Sequence, residues 1–300
     1  RLSIDRSFPL KNPTFKIAAA AMMVAGAFAT QTYAAGFQLS EQSAIQMGRA
    51  MAGAGIVGDD LSAVHYNPAG MTLLSGTRMQ ATGTWVAVNL DYEGDSGQSE
   101  NGRLKGQIIP AGFITHQIND SLWAGLGLTV PYGMGTEYGE GWEGKSRGTE
   151  SMILTFDINP NLAWKVNEKL SVGGGISLQY AKAELGMGMG PMQANVKGDS
   201  WAWGWNVGLM FQPVETVRLG LAYRSHIAHN AEGHTDVKGL LNLTSDMKVR
   251  IKTPDTVTLS ATWEATDALR LSGTARWSKW SNFRSLNVQS CSFITNNDLK

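Results

Sequence analysis

The sequence predicts an all-β protein built as an antiparallel transmembrane β-barrel, and three observations carry this prediction. From Thr77 onward, apolar and polar residues alternate with a period of two, which is the period of a β-strand. Beyond the first 34 residues, no apolar run reaches the roughly 18 residues that a membrane-spanning helix needs. The chain has 35 glycines and 10 tryptophans but only 17% charged residues, a composition that fits strands facing lipid on one side.

The first 34 residues have the pattern of a removable export signal. Basic residues at positions 1, 6, 11 and 16 precede an apolar run, and small residues stand at positions 32 and 34, where a signal peptidase reads. The alternative is a short membrane anchor, but about a dozen apolar residues cannot cross some 30 Å of hydrocarbon as a helix. We therefore predict a signal peptide over residues 1–34 and a mature chain that starts at Ala35.

Residues 35–76 are expected to form a compact plug in front of the first strand. The stretch is rich in glycine and alanine, and its apolar residues are too few and too scattered to form a core of their own. Gly48, Gly53, Gly55 and Gly58 allow the backbone to turn tightly inside something larger. We predict a hatch that is enclosed by the strands which follow it.

The clearest strand signal lies in residues 151–166, where apolar residues alternate with polar ones. A soluble sandwich would turn the apolar face inward, whereas a membrane barrel turns it toward lipid. Three features favour the barrel: the polar, glycine-rich second face of residues 170–182, tryptophans at 201, 203 and 205 near one strand end, and connections that alternate in length. The long connections are expected near residues 92–103, 133–150, 185–200 and 228–246. We expect nine strands, at residues 78–92, 103–117, 121–132, 150–166, 169–184, 199–212, 216–228, 247–264 and 268–284.

Charge and cysteine content narrow the class of protein further. The 25 basic and 25 acidic side chains balance, which gives no electrostatic reason to expect a nucleic-acid partner. The single cysteine, Cys291, cannot form a disulfide within the chain. Both observations fit a barrel that closes by backbone hydrogen bonds.

Several motifs in the predicted hatch resemble the N-terminal hatch of the FadL family. They are the AGFQL start at Ala35, the MGRAxAGAG run over residues 47–55, the pair Asp59-Asp60 and the tripeptide Asn67-Pro68-Ala69. The similarity continues in patches to about Phe283. The resemblance implies an outer-membrane channel for long-chain fatty acids and other hydrophobic compounds, with a fourteen-stranded barrel around the hatch.

The resemblance also implies that part of the barrel wall is missing from this chain. The segment TARWSKWSNFRSL resembles the family's ninth strand, and the sequence ends soon after it. We therefore expect a truncated product with a partial wall over residues 77–284 and a divergent tail over residues 285–300.

In the FadL family, ligand moves from an outer groove to a pocket beside the hatch and leaves sideways where the third strand is kinked. The resemblance therefore implies two groups of functional residues. The hatch and gating group comprises Ala35, Gly36, Phe37, Asn67, Pro68 and Ala69, with the tripeptide against the kink. The lateral opening comprises Val130, Pro131, Tyr132 and Gly133.

The residues at the expected kink have physical properties that suit an opening. Pro131 lacks the N–H group that a strand ladder needs, and Gly133 permits a bulge or a bend. On the residues alone, the third strand could simply end at Val130, with Pro131 opening a loop. The match in position to the family's kink favours the opening.

The residues that would contact a ligand are less well defined. The family's pocket has a basic side chain shortly after the fifth strand, and here only Lys182 and Lys197 lie nearby. Met187, Met189 and Met192 could line an adaptable apolar groove or belong to an exposed loop. A fatty acid is the first expectation for the ligand, and neutral aromatic hydrocarbons or alkanes are the alternative.

Functions of another class are a general porin, a structural surface barrel or an outer-membrane lipid hydrolase. A plug argues against a free aqueous pore. A hydrolase or a metal site is not expected from His226, His229 and His234, because His226 and His229 would project to opposite faces of a strand and all three are expected in a solvated loop. We predict no enzyme activity, no catalytic residues, no cofactor and no metal.

The expected partners follow from the barrel and the resemblance. They are a hydrophobic small molecule, the lipid and lipopolysaccharide of a bacterial outer membrane, and the machinery that assembles barrels. We expect a monomer in the outer membrane of a Gram-negative cell and no nucleic-acid partner.

Overall fold

A computed structural model of the chain describes residues 37–93, 99–138, 142–146, 148–189, 192–238, 243–282 and 287–295. The predicted signal peptide and the first two predicted hatch residues, Ala35 and Gly36, lie outside these ranges. The described chain begins with a segment of turns and short helices, residues 37–76, which we call the N-terminal segment. In the part of the chain that the structure describes, no helix is long and apolar enough to cross a membrane.

Polar side chains cap the short helices of the N-terminal segment. Helix α1 (Ala44–Gly48) begins after Ser43, whose hydroxyl accepts a hydrogen bond from the backbone N–H of Gln46 at 3.3 Å. Helix α2 (Ala63–Tyr66) leads into a 3-10 turn, η1 (Pro68–Leu73). Asn67 caps this turn by accepting a hydrogen bond from Ala69 N at 3.1 Å. The caps fix the geometry of a segment that has little regular structure.

The rest of the described chain forms one sheet of thirteen antiparallel strands. The strands are β1 (Thr77–Glu93), β2 (Ser99–Gln117), β3 (Leu122–Thr129), β4 (Gly133–Glu137), β5 (Glu150–Lys165), β6 (Leu170–Met189), β7 (Met192–Val214), β8 (Val217–Arg224), β9 (Ala228–Lys238), β10 (Leu243–Lys252), β11 (Thr256–Thr266), β12 (Leu269–Ser278) and β13 (Asn287–Thr295). A 3-10 turn, η2 (Trp280–Asn282), follows β12. The main order is β1-β2-β3-β5-β6-β7-β8-β11-β12.

Four interruptions explain why there are thirteen strands where the sequence predicts nine. Strands β3 and β4 both pair with β5, and strands β8 and β9 both pair with β7. In the same way, β11 pairs with β8 and β10 pairs with β9. Strand β12 in turn pairs with β11, and β13 pairs with β10. Each of these four pairs is one run that breaks and then resumes. The wall therefore consists of nine runs, and β1 and β12 lie at the two edges of the main order.

Several predicted long connections are strands instead. The stretch 133–150 contains β4, the stretch 185–200 is the hairpin of β6 with β7, and the stretch 228–246 contains β9 and the start of β10. Strand β13 lies beyond the predicted end of the wall at residue 284 and pairs with β10. The prediction of these loops was wrong because glycine and polar residues occupy both faces there, which removes the period-two signal.

The two faces of the sheet have opposite chemistry. On β5, Thr155, Asp157 and Asn159 are buried on the inner face, whereas Leu154 and Phe156 are exposed on the outer face. Other apolar side chains exposed on the outer face are Trp85, Ile108, Leu162, Ile176, Trp203, Leu221, Leu259 and Trp277. A soluble sandwich would bury its apolar face. The arrangement is that of a membrane barrel, which confirms the predicted fold class.

Glycines of the inner face allow the N-terminal segment to approach closely. Gly173 on β6 and Gly208 on β7 are cross-strand partners, and the turn at Pro68 and Ala69 lies over them. A Cβ atom added to Gly173 would lie 2.7 Å from the backbone N of Ala69, closer than any side chain tolerates. Only glycine permits this contact between the segment and the wall.

A small apolar core completes the docking of the N-terminal segment. Its residues come from both partners: Leu61, Val64, Met71 and Leu74 of the segment, and Ala111, Phe113, Trp123 and Ala163 of β2, β3 and β5. The indole N–H of Trp123 also donates to the carbonyl of Leu74 at 2.8 Å. The segment is thus attached to the first half of the wall by apolar contacts and to β6 and β7 by glycine contacts.

These contacts predict opposite effects for one added methyl group at two glycines. Gly173→Ala should destabilise the docked segment by about 1–3 kcal/mol, because its Cβ would overlap the backbone of Ala69. Gly273→Ala on β12 is the matched control, since no atom lies within 4 Å of its added Cβ. We expect trypsin to cleave the N-terminal segment faster in outer membranes that carry Gly173→Ala and at the parent rate with Gly273→Ala. Equal cleavage of both variants would contradict the docking described here.

Candidate functional site

The third run of the sheet leaves its neighbour where the sequence predicts an opening. Strand β3 pairs with β2 as far as Leu128, opposite Gly112, and β4 pairs with β2 again only at Glu137, opposite Arg103. Between these points no ladder pair joins β2 to this run in the described residues. On its other side the run stays paired with β5. Between the pairs Thr129–Asp157 and Gly133–Leu154, three residues of the run lie opposite two residues of β5. We call the unpaired stretch between β2 and the third run the β2–β4 gap.

The first described residues of the N-terminal segment fill the β2–β4 gap with extended backbone. Leu39 donates its backbone N–H to the carbonyl of Pro131 at 2.9 Å, and Gly133 donates to the carbonyl of Phe37 at 2.9 Å. This short antiparallel pairing lies on the side that faces β2, because the neighbouring peptide groups bond to β5. The segment therefore replaces part of the missing wall ladder.

A glutamine side chain satisfies the other exposed backbone groups at the gap. The amide of Gln42 donates to the carbonyl of Val130 at 2.8 Å and accepts from the N–H of Val130 at 3.3 Å. Val130 and Tyr132 are only 5% and 3% exposed. The gap is therefore closed in this structure, and the residues predicted to form the opening are covered from the inside.

An aromatic cluster holds the N-terminal segment between two parts of the wall. The ring of Phe37 lies 5.8 Å from the ring of Tyr132 and 5.1 Å from the ring of Trp280 in η2, both in edge-on arrangements. Ile153 of β5 packs against the same cluster. Phe37, predicted as a gating residue, thus touches the interrupted third run on one side and the turn after β12 on the other.

The tripeptide Asn67-Pro68-Ala69 does not make the contact that the resemblance implied. It lies against β6, β7 and β8: Asn67 donates from its side-chain amide to the carbonyl of Leu209 at 3.1 Å and approaches Gly220, and Gly173 lies beneath Ala69. The prediction that the tripeptide faces the kink is therefore corrected. The physical reason is that the kink needs extended backbone or an amide to satisfy its peptide groups, and a 3-10 turn cannot supply these partners.

A polar cavity lies beside helix α2. Its lining includes His65 and Tyr66 of the N-terminal segment, and Arg224 and Arg276 of the wall. The two arginines come from β8 and β12. The two arginines could not be identified from the sequence, because nothing in the local sequence shows that these strands meet at one cavity.

Arg224 is fully engaged by partners in the wall. Its guanidinium donates to Asp157 at 3.2 Å, to Ser177 at 2.6 Å and to Asn159 at 3.0 Å. It also donates to the carbonyl of His65 at 3.1 Å, which ties α2 to the wall. Because the carboxylate of Asp157 is completely buried, this pair compensates both charges inside the barrel.

Arg276 differs from Arg224 because its charge is not compensated. Its guanidinium lies 5.1 Å above the centre of the Tyr66 ring, which is a cation–π contact. Within the described ranges it makes no hydrogen bond and no ion pair with a carboxylate. The polar cavity therefore presents one free positive charge to any ligand that enters it.

A second, almost wholly apolar cavity lies on the inner face of the wall. It is lined by Ile153, Ala183, Leu185, Val196, Gly198, Ala231, Met247 and Val249. Ile153 and Ala183 also pack on the aromatic cluster of Phe37 and Tyr132. Gln38 lines the polar cavity, whereas the cluster around Phe37 borders the apolar one. The two cavities therefore lie on either side of the start of the N-terminal segment.

Of the side chains predicted to contact a ligand, those of Lys182, Met187, Met192 and Lys197 do not line either cavity, and that of Met189 lies outside the described part of the structure. Lys182 and Lys197 are about half exposed and form ion pairs with Glu184, at 2.8 Å and 3.6 Å. Met187 and Met192 belong to the hairpin of β6 and β7, in which Met189 pairs with Met192.

His226 and His229, which were considered for catalysis or metal binding, form contacts with other residues of the wall. His226 contacts Asp255, with Nδ1 at 3.0 Å from Oδ1. His229 is completely buried between Ser200 and the side-chain oxygen of Gln179, at 3.0 Å from each, so the expected solvated loop is corrected for this residue. In the part of the chain that the structure describes, no group of three potential metal ligands occurs.

The charge environment of His65 makes docking of the N-terminal segment depend on pH. Burial, and then the positive charges of Arg224 and Arg276, lower the pKa of His65 well below 6.5. A released segment would bind a proton below about pH 6.5 that the docked segment does not bind, so docking should weaken as the pH falls. The expected slope is at most about 1.4 kcal/mol per pH unit for this group.

The rate of tryptic cleavage after Arg49, measured in outer membranes after exposure to pH 8 to 5, would show this effect. We expect cleavage to rise as the pH falls in the parent chain, and to change much less in His65→Gln, which cannot gain this proton. An equal pH dependence in both chains would show that His65 is not responsible.

Similar proteins share both the fold and the sequence pattern. A long-chain fatty acid transport protein of Escherichia coli O6:H1 is 29% identical over 71% of this chain, and outer membrane protein P1 of Haemophilus influenzae is 26% identical over 90%. This chain spans about half of the first relative, 54%, and 70% of the second.

Solved structures of similar shape include a FadL homologue of Pseudomonas aeruginosa, with a TM-score of 0.79 and 23% identity. The match covers 87% of this chain and 74% of that one. The toluene transporter TodX of Pseudomonas putida has a TM-score of 0.64 and 17% identity, covering 79% and 69%. The model of one family, outer membrane protein transport protein (OMPP1/FadL/TodX), matches residues 25–298. The chain therefore belongs to the OMPP1/FadL/TodX family of outer-membrane transport proteins.

Proposed function

We propose that the complete protein is a channel for the passive uptake of hydrophobic molecules across the outer membrane, and that long-chain fatty acids are its ligands. In this proposal the ligand is captured at the outer loops, passes to a pocket beside the N-terminal segment and leaves sideways through the β2–β4 gap. The members of the family are transport channels and not enzymes, which supports a transport role without catalysis.

The observation that carries this proposal is that the β2–β4 gap is closed by a segment that is not part of the wall. A gap facing lipid leaves peptide groups unpaired at a cost of several kcal/mol each, so a wall without a transport role would be closed by a strand. Here the backbone of Phe37 and Leu39 and the side chain of Gln42 supply the partners. These few hydrogen bonds can break while the sheet stays intact, which makes the gap an opening that can be closed and opened.

The two cavities suit the two ends of a fatty acid. The apolar cavity offers branched and thioether side chains such as Ile153, Val249 and Met247 to a hydrocarbon tail. The polar cavity offers the uncompensated guanidinium of Arg276 to a carboxylate, with geometry suited to a paired hydrogen bond. Arg276 takes the role for which the sequence analysis considered Lys182 and Lys197.

The names of the similar proteins point to two ligand classes. One relative is a long-chain fatty acid transport protein, and one structural neighbour is a toluene transporter. A neutral aromatic hydrocarbon or an alkane would use the apolar cavity and the same exit, without any need for Arg276. The charge of this one residue therefore discriminates between the two ligand classes.

Substitution of Arg276 tests the ligand class. In cells without another fatty acid transporter, Arg276→Gln should lower oleate uptake about tenfold or more, because a charge-assisted hydrogen bond of roughly 1.5–3 kcal/mol is lost. Uptake of an alkylbenzene should be unchanged. Lys182→Gln is the control, since this side chain faces outward and is paired with Glu184. If oleate uptake were unaffected by Arg276→Gln while alkylbenzene uptake needed the protein, the ligand would be neutral.

Substitution of Val130 tests the exit. Val130→Arg should abolish uptake of hydrophobic molecules, because a charged side chain would occupy a small apolar opening. Pro131→Thr restores an N–H group to this run and should slow uptake less severely. The amount of protein in the outer membrane must be equal in both variants. Parent-like uptake by Val130→Arg would show that the ligand does not pass through the β2–β4 gap.

A further inference from the structure

The ninth run of the wall contains more residues than its neighbour between its two paired parts. Strand β12 is paired with β11 up to Ser278, opposite Thr256, and β13 is paired with β10 from Asn287, opposite Arg250. Five residues, 251–255, separate these paired parts along one run, and eight residues of sequence separate them along the other. The first residues of the ninth run after β12 form the turn η2, which places Trp280 against Phe37.

One carboxylate fixes the position of this turn. Oδ2 of Asp255 accepts a hydrogen bond from the side-chain amide of Asn282 at 2.8 Å, and the carbonyl of Asp255 accepts from the N–H of Lys279 at 2.8 Å. Oδ1 accepts from the hydroxyl of Tyr223 at 2.6 Å and from the backbone N–H of His226 at 3.0 Å. Asp255 therefore ties the turn to the link between β8 and β9, where the neighbouring runs are also interrupted.

Trp280 has no hydrogen bond of its own to hold it in place. Its buried indole N–H lacks a partner among the described residues, so the ring is positioned by packing and by the turn that carries it. The ring lies 5.1 Å from Phe37 and 6.4 Å from Tyr132. A second tether runs beside it, from the hydroxyl of Ser278 to the side-chain oxygen of Gln38 at 3.1 Å. The start of the N-terminal segment is thus held from the far side of the barrel as well as at the gap.

We propose that Asp255 is a positioning residue that holds Trp280 as a latch on the N-terminal segment and so keeps the β2–β4 gap closed. The proposal rests on the proposed function in one respect, that closing this gap matters for transport. The latch acts through contact: loss of the carboxylate removes the side-chain bond that holds the turn, which lets Trp280 withdraw from the ring of Phe37. The start of the segment then relies on its remaining contacts, among them the hydrogen bonds at Pro131 and Gly133 and the ring of Tyr132.

Thiol labelling at the gap tests the latch without any ligand. In a Cys291→Ser background, Val130→Cys provides one thiol at a position that is 5% exposed while the gap is closed. The readout is the rate at which a small, water-soluble maleimide modifies this thiol in isolated outer membranes. We expect Asp255→Ala and Trp280→Ala each to raise the rate about tenfold. The double variant should label no faster than the faster single variant, because both changes break the same contact.

Asp236→Ala is the matched control. Asp236 is also a hydrogen-bonded carboxylate of the wall, which accepts from Thr244 at 2.8 Å, but it lies on β9 and makes no contact with η2 or the N-terminal segment in the structure. We expect a labelling rate within twofold of the parent. If Asp255→Ala does not reach the outer membrane, Asn282→Ala carries the test with the same expected direction, since it removes only the bond from the turn to Oδ2.

The possible outcomes separate the latch from the transport route. Parent-like labelling in Asp255→Ala, Trp280→Ala and Asn282→Ala would overturn the latch, even if Val130→Arg blocks uptake. Faster labelling in these variants supports the latch, even if uptake proves not to pass through the β2–β4 gap. Faster labelling in Asp236→Ala as well would show general loosening of the wall and would also overturn the proposal.

Discussion

The hydrogen bonds of four peptide groups at the third run decide how the N-terminal segment must be arranged. An unpaired N–H or C=O group in the wall costs about 1–3 kcal/mol, and more where it faces lipid. The groups of Pro131 and Gly133 point toward the side of β2 but have no partner on that strand, and the backbone of Phe37 and Leu39 meets them. The rest of the segment has to deliver these residues to one place. Glycine docking on β6 and β7 and the apolar core under β2 and β3 hold it there.

The cost of burying a polar or charged group without a partner also explains why the two arginines have different surroundings. A buried carboxylate such as Asp157 needs a compensating charge, and Arg224 supplies it while also holding the carbonyl of His65. Arg276 has only the face of Tyr66, which stabilises a cation without neutralising it. The inner wall therefore keeps one charge for its structure and leaves another available. A carboxylate that reaches Arg276 would complete a pair that the protein itself leaves open.

The sequence predicts well the part of the wall that has lipid on one side and a polar interior on the other, because these two environments impose strict alternation of apolar and polar residues. Strand β5 is the clearest example, with Leu154 and Phe156 outside and Asp157 inside. Strand β9, AHNAEGHTDVK, was not predicted because polar residues occupy both of its faces and the signal disappears. The kink at Pro131 was predictable from the chemistry of proline. Its partner was not, because pairing between Leu39 and Pro131 depends on tertiary contacts over a long sequence separation.

The positions of the cavities suggest how a ligand could compete with closure of the gap. Ile153 and Ala183 line the apolar cavity and also pack on the cluster that holds Phe37. A ligand can shift the segment only if it binds the released state more tightly than the docked state. A hydrocarbon tail that replaces Phe37 against these side chains would bind the released state more tightly, because in the docked state Phe37 already occupies these contacts. Binding in the apolar cavity and release of the segment would then be two consequences of the same exchange of apolar surface.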